Sequence, residues 1–171
     1  MEVETGELEI DFQSIINHND LSCNTKEKLF KSRIILLPAS FSTYQKRGDF
    51  PSETPNFLKY IRIKHPEINA NIFENIGEER IQALHHADII LPPIFFLIQD
   101  YSVEIIIGII SAYLYDKFKG APDLGKKDVK LELLQGSIGS FKINLIRYEG
   151  PVSGINKIQK LTNSTEEKKK R

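Results

Sequence analysis

Asp100, Tyr101 and Glu104 stand close together in the chain, and their residue types and spacing are those of an acid–base or nucleophilic site. Glu104 is followed at once by Ile105, Ile106 and Ile107. A carboxylate partly covered by such side chains has its charged form disfavoured and its pKa raised, which fits a nucleophile or a general acid. The segment reads as the start of a helix just beyond a strand, the place where open α/β sheets bind ligands. The bland alternative is a helix-opening glutamate that only satisfies the positive end of the helix dipole.

Other candidates are weaker. His85 and His86 are adjacent, so on a helix they point about 100° apart and cannot chelate one ion well. One of them with Asp88 as its orienter makes a base, but two polar residues at a helix exit need no such role. Gly136-Ser137-Ile138-Gly139 lacks the lysine of a phosphate loop and reads as a hairpin turn. Gly150 to Gly154 precedes a helix and forms a generic anion site without a basic residue inside it. Four histidines and one cysteine make no dense metal site, and no cofactor is expected.

The elements that would position these residues follow from the apolar pattern. Leu8 to Phe12 alternates like a half-buried strand. Thr25 is the expected N-cap of a short helix carrying Leu29 and Phe30. Ile34-Ile35-Leu36-Leu37 and Ile89-Ile90-Leu91 are continuous apolar runs, each closed by proline, and are expected as neighbouring central strands with Ile90 in the core. Between them, residues 39–55 form the longest loop, followed by a helix over 56–64, a strand over 68–73 and a helix over 77–86. Ser102 to Phe118 reads as the strongest helix. Residues 129–134 and 141–148 pair as a hairpin, and 152–161 give a short amphipathic helix with Ile155, Ile158 and Leu161 inward.

The expected fold is therefore α/β or α+β: a central, partly parallel sheet flanked by helices, with a C-terminal β-hairpin plus short helix. Residues 1–161 are read as one globular domain with a subdivision point near 121–127. Residues 162–171 carry no large apolar side chain and read as a charged flexible tail, dispensable for folding.

The stretch from Ile105 to Tyr115 holds eleven uncharged residues, short of the ~20 a membrane span needs. Gly108 and Ala112 are four apart, a spacing that permits close helix approach, and mid-helix glycine costs ~1 kcal/mol relative to alanine. The helix is either a buried central element or an interface between subunits. In the second case Ile105, Gly108, Ile109 and Ala112 are the interaction residues.

Lys plus Arg and Asp plus Glu each number 23 in 171 residues, so the net charge is zero. The basic excess of a nucleic-acid binder is missing, and little self-repulsion opposes association. Cys23 alone permits no intramolecular disulfide, and residues 1–7 lack the basic and apolar regions of a signal peptide. The expected location is the cytoplasm.

Two resemblances add to this. The Asp100–Glu104 arrangement resembles the nucleoside deoxyribosyltransferase family, in which a helix-opening glutamate followed by a glycine is catalytic. Here the glycine is Gly108 and no Gly-Thr pair precedes Glu104. The layout of the last 70 residues, with Tyr113-Leu114-Tyr115-Asp116-Lys117 ending the apolar helix and Tyr148-Glu149-Gly150-Pro151 closing the hairpin, is similar to small prokaryotic effector-associated (conflict-system) adaptor modules. That likeness implies a non-enzymatic accessory protein of a defence or toxin system, working with a protein partner or as a homo-oligomer. The enzyme alternative acts on a nucleotide-like small molecule with Glu104 as nucleophile or acid.

Overall fold

A computed structural model describes residues 1–82, 88–137, 141–158 and 160. The chain folds as a mixed α/β structure around one seven-stranded sheet. Strand β1 (Glu2–Glu9) is followed by helices α1 (Phe12–His18) and α2 (Cys23–Lys31), strand β2 (Ile34–Leu36), helices α3 (Phe41–Tyr44) and α4 (Thr54–Lys64), and strand β3 (Ala70–Ile72). Strands β4 (Ile89–Ile90) and β5 (Ile94–Leu97), helix α5 (Val103–Lys117) and strands β6 (Asp128–Gly136) and β7 (Lys142–Pro151) complete it.

The sheet order is β1-β7-β6-β5-β2-β3, with β4 also paired to β6. The β2–β3, β4–β6 and β5–β6 pairs are parallel, and the β1–β7, β2–β5 and β6–β7 pairs are antiparallel. Because side chains alternate across a strand, each face gathers its own core. One face carries Ile34, Leu36, Phe96, Leu133 and Ile146 beneath α4 and α5. The other carries Ile35, Leu37, Phe95, Leu134 and Ile143 beneath α1, α2 and α3. There Phe12 stacks on Phe95, ring centroids 4.1 Å apart.

β4 and β5 are one interrupted strand. Both run along β6, Ile89 opposite Val129 and Ile94 opposite Leu133, with Leu91 N donating to the Lys130 carbonyl at 3.0 Å. Pro92 and Pro93 split them because proline has no amide proton for the ladder. The expectation that the runs at 34–37 and 89–91 are direct neighbours is thus corrected: β2 is in register with β5, Leu36 opposite Ile94. Ile90 is only half-buried and faces a cleft, whereas Ile89 and Leu91 are core.

Three further corrections are local. Helix α2 is capped by Ser22, whose Oγ accepts from the Thr25 amide at 3.2 Å, so Thr25 lies inside the first turn. Residues 12–18 form α1, with the Asp11 side chain accepting from Gln13 N, where the alternating pattern implied that the strand ran on to Phe12. Of the helix expected over 77–86, the described part is a turn and a bridge. Phe50 N donates to the Arg80 carbonyl and Gln82 N to the Phe50 carbonyl, at 2.7 and 2.8 Å. Buried Phe50 thereby holds this backbone extended and leaves Ile81 exposed. Leu84, His85, His86, Ile138, Gly139, Leu161 and the tail from 162 lie outside the described residues.

The long segment 39–55 is tied down. Phe41 and Phe50 are both fully buried in it. Arg47 pairs with Glu74 and with Glu78 at 2.6 Å, and its guanidinium also donates to the Asp20 carbonyl.

Candidate interaction surface

The structure places the three proposed catalytic residues where α5 begins. Asp100 is held by Arg33, Nη1 to Oδ2 at 3.2 Å. Tyr101 packs against the core beneath α4 and α5. Burial first, then the charges of Asp100 and Glu67, push its phenol above the ordinary value. Glu104 occupies the first turn of α5, half-buried. None of the three lines either of the clefts below. Among the described residues, no three His, Cys, Asp or Glu side chains converge to hold a metal ion.

The first cleft, about 260 Å³, lies over the end of β1, β7 and β6 that α3 leaves uncovered. Alternation puts Glu4, Arg147 and Glu132 side by side there, with Glu149 and Lys130 one step along. Arg147 Nε bonds Glu132 Oε2 at 2.8 Å and Nη2 donates to Ser42 Oγ at 2.7 Å, while Lys130 pairs with Glu149 at 2.8 Å. Opposite charges on adjacent strands support one another, so the ladder stabilises the sheet end. Sequence reading missed this group because its members are far apart in the chain and only the strand register brings them together.

The second cleft, about 320 Å³, runs between α4 and α5. Its floor includes Tyr113, whose hydroxyl donates to Glu53 Oε2 at 2.5 Å, and Lys117 reaches the same oxygen. Burial, and then the hydrogen bond to Glu53 and its charge, push the Tyr113 phenol far above its ordinary value. Burial also raises Tyr60, Tyr101 and Tyr148. A folded-state pKa raised above ~10 favours folding while the unfolded phenol is protonated too, and that support is lost as pH climbs past the unfolded value. Stability is expected to fall above pH ~10. A Tyr113→Phe variant is expected to lose less over the same range in urea melts. An identical alkaline slope in both proteins would contradict the assignment.

Helix α5 is the longest helix, rich in isoleucine, and has two faces. Val103, Ile106, Ile107, Ile109, Ile110, Tyr113 and Leu114 are buried. Ile105 and Tyr115 are 48% and 61% exposed, and Gly108 and Ala112 between them face solvent. A Cβ added at Gly108 would meet no atom within 4 Å. Three expectations are corrected here. The helix is not buried on all sides, since its inward stripe already fills the core. Among the described residues Gly108 makes no close backbone contact, and Ile109, expected among the interaction residues, is only 6% exposed and belongs to the core. The outward residues Ile105, Gly108 and Ala112 gain Tyr115, which sequence reading did not include because an unbroken apolar run shows no face.

Among the described residues, no helix is long and apolar enough to cross a membrane. No protein family, curated protein or solved structure matches the chain.

Proposed function

We propose that this chain is a cytoplasmic, non-catalytic interaction module that pairs with a second copy through the outer face of α5. One observation carries the reading: the exposed row is large–small–small–large and reads the same in both directions. Ile105 and Tyr115 lie equally far from the midpoint of Gly108 and Ala112. In an antiparallel pair with two-fold symmetry, Ile105 of one copy meets Tyr115 of the other over a crossing of Gly108 against Ala112. Such self-complementarity is what an isologous interface requires. The zero net charge adds little repulsion. One helix row is smaller than the ~800 Å² per partner of a standard interface, so the pairing is concentration-dependent. The layout likeness to prokaryotic defence-associated adaptors points the same way. The enzyme reading has less support, because Asp100 is occupied by Arg33 and the Glu104 region has no cleft among those described.

Sedimentation velocity over a wide concentration range tests the proposal. The wild type is expected to shift toward dimer as it is concentrated. Ile105→Glu with Tyr115→Glu, and separately Gly108→Leu, are expected to stay monomeric with unchanged circular dichroism. Gly108→Ala fits the open space and is expected to stabilise the fold by up to ~1 kcal/mol. A wild type monomeric at every concentration would sink the idea.

A further inference from the structure

Among the described residues strand β1 is an outer strand of the sheet, paired on one side only, with β7. Ile10 N donates to the Phe141 carbonyl at 2.7 Å. Antiparallel ladders alternate, so Leu8, Gly6, Glu4 and Glu2 also turn their backbone groups toward β7. Val3, Thr5, Glu7 and Glu9 therefore turn theirs outward. The strand is eight residues long, and all but Val3 and Leu8 are exposed. A long exposed edge is a template for another strand, and proteins commonly blunt it with lysine, proline or a bulge. This edge has none of these. Its charged residues are Glu2, Glu4, Glu7 and Glu9, of which Glu4 lies 3.7 Å from Arg147 of the neighbouring β7. Two such edges repel one another, whereas a basic strand is attracted.

We infer that the outer edge of β1 is a docking site for strand addition by an extended segment of a partner protein carrying lysine or arginine at alternate positions. Main-chain hydrogen bonds to Val3, Thr5 and Glu9 supply binding, and the side chains of Glu2 and Glu9 select the charge. Alternate positions of the incoming strand fall beside Glu2 and Glu4 on one face of the sheet and beside Glu7 and Glu9 on the other. The surface is separate from the outer row of α5 and does not depend on pairing there.

The test uses the full chain and a fluorescein-labelled ten-residue peptide alternating lysine and valine, read by fluorescence anisotropy at low salt. Thr5→Pro removes an outward amide and leaves the β1–β7 ladder its donors, and an edge strand tolerates proline there. The peptide is expected to bind the wild type and to bind Thr5→Pro at least tenfold more weakly, with the variant's thermal melt unchanged. Glu2→Gln with Glu9→Gln is expected to weaken binding several-fold, and a glutamate–valine peptide is expected not to bind. The lysine–valine peptide methylated on alternate backbone nitrogens, those of its bonding edge, is expected to lose binding to the wild type, which tests the same point should Thr5→Pro not fold. Equal binding of the methylated and unmethylated peptides, or equal binding by a folded Thr5→Pro, would show simple charge neutralisation and overturn strand addition. So would binding of the acidic peptide, or no binding of the basic one.

Discussion

Replacing Phe96 by alanine is expected to destabilise the protein by about 3–5 kcal/mol, the range for deleting a buried aromatic side chain. Phe96 is fully buried, opposite Ile34 on β2 and Gln135 on β6. It therefore holds both halves of the sheet against α4 and α5. Domains of this size are stable by only about 5–15 kcal/mol, so the variant is expected to melt far below the wild type. Urea denaturation followed by circular dichroism checks this. A loss under about 1 kcal/mol would mean that the site collapses freely around the missing ring.

Gly154→Ala is expected to be the next most damaging change. An added Cβ at Gly154 overlaps the Tyr148 hydroxyl. Tyr148 cannot swing away cheaply: its ring is 2% exposed in the core and its hydroxyl donates to the Pro151 carbonyl at 2.6 Å. Either the ring shifts, at about 1–3 kcal/mol for overpacking, or a buried hydroxyl loses its partner at a comparable cost. The expected loss is about 2–4 kcal/mol. Tyr148→Phe alone is expected to cost about 1 kcal/mol, and in that background Gly154→Ala is expected to become nearly neutral. The double-mutant cycle thus isolates the contact, and additive losses would place the damage elsewhere.

The sequence announces elements whose pattern matches their surroundings. Ile34 to Leu36 is apolar at every position because both faces of β2 are covered, and the β6–β7 hairpin alternates because its faces differ. α4 and α5 carry their own start and stop signals, such as Pro55 in the first turn and Lys117 in the last. What stays hidden is set by distant partners. Nothing local says that Pro92-Pro93 interrupts one strand, since the continuity lies in β6. Residues 80–82 look helical until buried Phe50 takes their backbone groups. The outer row of α5 is illegible for a different reason: with apolar residues on every side, periodicity cannot tell the inward face from the outward one. The charged group at Arg147 is likewise a product of register.

The β1–β7 pairing has a consequence for how the chain reaches this state. Glu2 lies opposite Glu149, so nearly the whole sequence separates the two strands. Contacts this far apart in sequence slow closure, which places refolding nearer milliseconds to seconds than microseconds. A chain stopped before β7 has no sheet partner for its first strand. Among the described residues β1 thus joins the sheet only through β7, and that pairing is the longest-range closure in the fold.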